Sequence, residues 1–105
     1  MTAALNNLDA LSAAKKAAII GDMFELGEEA PEQHQRVIEL AMSCNIQTKI
    51  FIGSDFSAFK NEFDGLFFET RDEAATYLTE NPIKDQLVLL KGSRGMALER
   101  LLPLL

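Results

Sequence analysis

The sequence predicts an α/β three-layer sandwich built on a mostly parallel sheet. Three observations carry this expectation. Short apolar runs stop at turn residues: Ala17–Ile20 before Gly21-Asp22, Lys49–Ile52 before Gly53-Ser54-Asp55, and Leu87–Leu90 before Lys91-Gly92. Segments with apolar residues at helical spacing lie between these runs. The runs are continuously apolar rather than alternating, the pattern of strands buried on both faces.

Taken in chain order, Ala4, Leu5, Leu8 and Leu11 recur at helical spacing in an Ala-rich opening without Gly or Pro, which predicts a first helix. The first strand, Ala17–Ile20, leads into a loop with Gly27 and the acidic pair Glu28-Glu29. Pro31 suits a first helical turn, where its missing N–H does no harm. From there His34, Val37, Ile38, Ala41 and Met42 keep one stripe. After the second strand, Phe56, Phe59, Lys60 and Phe63 fit either a short helix or an irregular loop. Leu66–Phe68 is a third strand, entered through Asp64-Gly65. Thr70 to Asn81 reads as a helix, with Thr70 or Asp72 near its start and Pro82 ending it. Leu87–Leu90 is the clearest strand, and Lys91-Gly92-Ser93-Arg94-Gly95 turns it into a last helix carrying Met96, Leu98, Leu101 and Leu102.

The chain of 105 residues has the length of one domain spanning 1–105, with no internal repeat or linker. Ten Lys+Arg against sixteen Asp+Glu give a net charge of −6, which argues against a nucleic-acid partner held by a broad basic face. No apolar run approaches the ~20 residues of a membrane span. There is no basic, apolar leader, and the single cysteine, Cys44, has no internal disulfide partner. A reducing, cytoplasmic setting follows.

Ligands of open parallel sheets bind beyond the carboxyl ends of the strands. Of those positions the Lys91–Gly95 turn is the most informative. Its two glycines let backbone approach a ligand, the following helix offers free N–H groups, and Lys91 and Arg94 add positive charge to an acidic chain. Such a turn can hold a carboxylate or phosphate, Arg94 through paired hydrogen bonds; the plainer alternative is a tight turn with solvated cations. It lacks the Walker A spacing. Asp22 directly follows a buried strand and faces the ligand edge, where it either orients a partner group or caps its own turn. The acids Asp22, Glu25, Glu28, Glu29 and Glu32 crowd the first connection and read as a solvated loop rather than a magnesium site. His34, the only histidine, lacks partners at metal-ligand spacing and reads as a partly buried structural residue. Cys44 and the phenylalanines between 51 and 68 read as packing. No zinc pair, serine nucleophile elbow or dinucleotide fingerprint is present, and no catalytic set can be assembled.

Two segments together carry a family resemblance. Ile19-Ile20-Gly21-Asp22-Met23-Phe24-Glu25-Leu26-Gly27-Glu28-Glu29, followed by His34, resembles one signature of the Mur ligases. Val88-Leu89-Leu90-Lys91-Gly92-Ser93-Arg94-Gly95-Met96, with Leu98-Glu99, resembles a second, and Met1-Thr2-Ala3-Ala4-Leu5 is similar to the helix that opens the family's C-terminal domain. The pair is specific and spans most of the chain in order. It points to the branch of the family that adds D-alanyl-D-alanine.

The resemblance implies a three-domain, ATP-dependent enzyme of peptidoglycan synthesis, and with it roles in cell-wall biogenesis, cell shape and cell division. In that family the central domain carries the P-loop and magnesium ligands, and the N-terminal domain grips the UDP-sugar peptide. The Rossmann-like C-terminal domain closes over ATP and helps bind the incoming amino acid or dipeptide, whose amine attacks an acyl phosphate. By this resemblance Lys91, Ser93 and Arg94 are dipeptide-side contacts and Asp22 a nucleotide-side or closure residue. ATP and Mg2+ belong to the full-length enzyme, with none held tightly by this chain alone. The P-loop, the carbamylated-lysine segment and the UDP-sugar domain have no counterpart here. Neither does an Asp-Ser-Tyr-Asn-Ala-Asn-Pro-like first strand, so an uncovered sheet edge is expected, open to pairing with another copy. The expectation is an excised or truncated C-terminal domain without catalytic residues or metal of its own, inactive as a ligase alone. The alternative is a free-standing regulatory or anion-binding module, receiver-like, with Asp22 or Asp55 and Lys91 in its pocket; a purely structural interaction domain is a third reading.

Overall fold

Each strand reading finds its place in a computed structural model, which describes residues 15–23, 27–44, 46–81, 83, 87–92, 98 and 101. The element order is β1 (Lys16–Gly21), a 3-10 turn (Gly27–Glu29), α1 (Ala30–Ser43), β2 (Thr48–Ile52), α2 (Ser54–Ser57), β3 (Leu66–Phe68), α3 (Arg71–Glu80) and β4 (Leu87–Lys91). The expected opening helix and most of the expected last helix lie outside the described residues.

The strands form a four-stranded, all-parallel sheet in the order β3-β2-β1-β4. The register aligns Gly21 with Ile52 on one side of β1 and Ile20 with Lys91 on the other. The chain steps outward from β1 through β2 to β3, then returns across the sheet to place β4 on the far side of β1. The strand order reverses between β1 and β4, the position at which open parallel sheets offer a ligand site.

Side-chain parity divides the core between the two faces. Ala18, Ile20 and Phe51 meet Val37, Ile38 and Ala41 of α1 and Phe56 of α2. Ala17, Ile19, Ile50 and Ile52 meet Ala74 and Leu78 of α3, together with Leu98 and Leu101. β1 is buried along its whole length, as its unbroken apolar run requires. The stripe His34, Val37, Ile38 and Ala41 is the buried face of α1, with Pro31 in its first turn.

Two local details refine the sequence reading. Helix α3 starts at Thr70, which sets a capping box: Thr70 Oγ1 accepts the Glu73 N–H at 3.2 Å, and Glu73 Oε1 accepts the Thr70 N–H at 3.2 Å. The Phe56–Phe63 segment is helical only to Ser57. Beyond it the N–H groups of Phe59, Lys60 and Glu62 bond carbonyls three residues back, giving successive tight turns.

Candidate functional site

Asp22 leaves β1 with the same parity as Ala18 and Ile20, and so emerges on the α1/α2 face of the sheet. Its N–H continues the ladder to the Ile52 carbonyl at 2.9 Å. Its carboxylate turns toward α2, where Oδ2 accepts the Asp55 N–H at 3.0 Å and Oδ1 the Phe56 N–H at 3.1 Å. The residue is 4% exposed. Asp22 therefore caps a helix that follows the neighbouring strand instead of its own turn. Gly53 makes room for this: its φ is 127°, and a Cβ there would overlap the Asp22 carboxylate.

His34 stands above this cap and is fully buried. Helix α1 begins at the carboxyl edge of the sheet and runs back along it, so its early turns flank the site. His34 Nε2 accepts the Met23 N–H at 3.0 Å, and Nδ1 donates to the Ala30 carbonyl at 2.6 Å. These bonds together require a neutral ring protonated at Nδ1. The ring meets Phe56 edge-on at 4.6 Å. Asp22 Oδ1 and Asp55 Oδ2 each lie 3.8 Å from Nε2, outside hydrogen-bond range.

Asp22, His34 and Asp55 bring possible ligand atoms within 4.8 Å of one another. The donor set does not fit a resident divalent cation, because the one lone pair of His34 Nε2 already receives Met23 N–H. Of the other acids, Glu28 and Glu29 are exposed on the 3-10 turn, Glu32 is exposed in the first turn of α1 beside Arg36, and Glu25 lies outside the described residues. Of the two acids of the receiver-like reading, Asp22 is buried with each oxygen accepting a backbone N–H, while Asp55 keeps a carboxylate that is 45% exposed.

On the neighbouring strand, β4 ends at the exposed Lys91, followed by Gly92. A Cβ on Gly92 would meet Leu98 Cδ1 at 2.9 Å and Gly21 Cα at 3.2 Å, so the ends of β1 and β4 approach backbone to backbone. Leu89 faces the α1/α2 side, and by parity Lys91 leaves β4 on that side too, the one Asp22 occupies. The structure thus brings Asp22 and Lys91 to the ends of adjacent strands. Ser93 and Arg94 lie outside the described residues. Sequence reasoning missed the cap on α2, the two backbone partners of His34 and the proximity of Asp55; strand parity and the Gly53 position were the available signals.

No family model matches the chain. Among curated proteins it is 35% identical to the UDP-N-acetylmuramoyl-tripeptide–D-alanyl-D-alanine ligase of Treponema pallidum over 100% of this chain and 24% of that protein. It is 29% identical to the Rickettsia prowazekii ligase of the same name over 96% of this chain and 23% of that one. The proteins it matches are Mur ligases. Solved Mur ligases agree with its fold. A MurF structure from Acinetobacter baumannii superimposes with a TM-score of 0.77 at 25% identity, covering 96% of this chain and 23% of that one. MurF from Thermotoga maritima, solved in complex with ADP, gives 0.73 at 25% identity over 95% and 23%. The chain spans about a quarter of the length of the Mur ligases it matches.

Proposed function

We propose that this chain is the C-terminal closure domain of a UDP-N-acetylmuramoyl-tripeptide–D-alanyl-D-alanine ligase, spanning 1–105 as one unit. It helps bind ATP and the dipeptide and carries no catalytic residue of its own. The supporting observation is the meeting of the β1 and β4 ends at the reversal of strand order. The two segments that resemble the family's signatures start on these adjacent strands, with Gly21 and Gly92 in near contact. A doubly wound sheet offers its ligand site at that point of reversal.

In this reading Lys91, Ser93 and Arg94 meet the dipeptide carboxylate, which matches a cationic, glycine-bounded turn in an acidic chain. Asp22 acts on the nucleotide side or in closure by holding the β1 and β2 ends together, not through a free carboxylate. Mg2+ would be held by the central ATPase domain, since the acids and His34 here do not suit it. ATP supplies the phosphate that activates the tripeptide carboxyl in the full enzyme. The partners are that central domain, the N-terminal UDP-sugar domain and D-alanyl-D-alanine, in the cytoplasm; nucleic acid and membrane are not among them. No described helix is long and apolar enough to cross a membrane. In isolation the chain is inactive, and the outer edges of β3 and β4 are where copies would pair.

The test is a chimera in which this chain replaces the matching quarter of the Treponema pallidum ligase. ADP release should require both the UDP-linked tripeptide and D-alanyl-D-alanine and vanish when the segment is omitted. A soluble chimera without dipeptide-dependent release, beside an active parent, would overturn the reading.

A further inference from the structure

The buried imidazole of His34 does more than fill volume. A phenylalanine or leucine would occupy the same space without a polar atom, yet both ring nitrogens are committed to backbone. The Nδ1 bond to the Ala30 carbonyl, one turn back on α1, fixes the rotation of the ring. That orientation presents Nε2 to the Met23 N–H, the first peptide group beyond Asp22. Phe56 closes on the ring edge-on and sends its own N–H to Asp22. The imidazole is thus a strut between α1 and the chain leaving β1, next to the Gly21–Gly92 approach.

We propose that His34 is a positioning residue of the β1 and β4 ends: a neutral imidazole, protonated at Nδ1, that sets the path of Gly21-Asp22-Met23 and so the shape of the ligand edge beside Gly92. The inference rests on those strand ends being the ligand site. His34 touches no ligand itself. It acts through Met23, and what the site needs from it is one acceptor at the position of Nε2. Glutamine can supply that acceptor through its side-chain oxygen, whereas phenylalanine supplies only volume.

Two measurements test this. The first is nitrogen NMR of the 105-residue chain with labelled histidine in neutral buffer. It should give a protonated Nδ1 and an unprotonated Nε2, with slowed exchange of the Met23 amide. An Nε2-protonated ring overturns the proposal. The second is steady-state kinetics of H34Q and H34F in the ligase chimera. H34F should raise KM for ATP or the dipeptide about tenfold, roughly the worth of one backbone hydrogen bond, with kcat little changed. H34Q should restore KM to near the parent value even where its melting temperature is lowered. Equal KM for parent and H34F, or losses in both variants that follow only their melting temperatures, would reduce His34 to packing and overturn the proposal. An inactive parent chimera would count against the ligase reading instead, and the tautomer and the Met23 amide would still decide the strut.

Discussion

The Asp22 carboxylate caps the backbone of Phe56 across 34 residues of sequence, with Oδ1 accepting its N–H at 3.1 Å while Oδ2 takes the Asp55 N–H at 3.0 Å. Replacing Asp22 with Ala would strand two N–H groups at the start of α2 and leave a void under His34. We expect a loss of about 2–3 kcal/mol, the range for charge-assisted hydrogen bonds with buried donors. Asn keeps one acceptor and should cost about half as much. Urea unfolding of the chain measures both; a loss below ~0.5 kcal/mol for D22A would show that the cap contributes nothing.

Gly53 and Asp22 should couple. Gly53→Ala strains a residue at φ 127° and drives its new methyl into the Asp22 carboxylate. Once Asp22 is Ala the collision disappears and only the backbone strain remains. The double variant should therefore be more stable than the sum of the singles predicts, by about 1 kcal/mol or more. Strict additivity in the double-mutant cycle would mean that the two residues do not share this space.

The way Gly53 and Asp22 meet also marks how far the sequence is legible. The unbroken apolar runs announced a buried parallel sheet, and the burial of all six β1 residues agrees with that. Turn residues after each run marked the carboxyl ends of the strands, so Asp22 and Lys91 were visible as strand-end residues. What Asp22 touches was not. Its parity with Ile20 selects a face of the sheet, but which helix occupies that face depends on the strand order, a long-range property. His34 was legible as a stripe residue only. Its two backbone partners follow from where α1 starts and how the chain leaves β1. The end of α2 at Ser57 was hidden for another reason: Phe56, Phe59 and Phe63 satisfy helical spacing while the backbone runs through tight turns.

The start of α3 gives a test independent of the β1 and β4 ends. Glu73 Oε1 accepts the N–H groups of both Glu69 and Thr70, while Thr70 Oγ1 accepts that of Glu73. Thr70→Ala should cost about 1 kcal/mol, the usual loss on removing an N-cap. Glu73→Ala should cost a similar amount. Because the two residues satisfy donors reciprocally, the double variant should lose less than the sum. Thermal unfolding of the three variants reads this out, and an unchanged melting temperature for T70A would deny the capping box its part in stability.

The cations of the β4 turn provide the test closest to function. Lys91 stands exposed at the end of β4, level with the approach of Gly92 to Gly21. If the Lys91–Gly95 turn receives the dipeptide carboxylate, Arg94→Ala in the active ligase chimera removes a charge-assisted contact worth about 1.5–3 kcal/mol. The KM for D-alanyl-D-alanine should rise by about tenfold or more, with a smaller change for the UDP-linked tripeptide. Arg94→Lys should recover only part of the loss, since an ammonium cannot form the paired bonds of a guanidinium. Lys91→Ala should weaken the same substrate less, and the loss should shrink at high salt because its charge is solvent-exposed. Dipeptide kinetics unchanged by R94A would remove the turn from the binding site and leave its cations as ordinary surface charge.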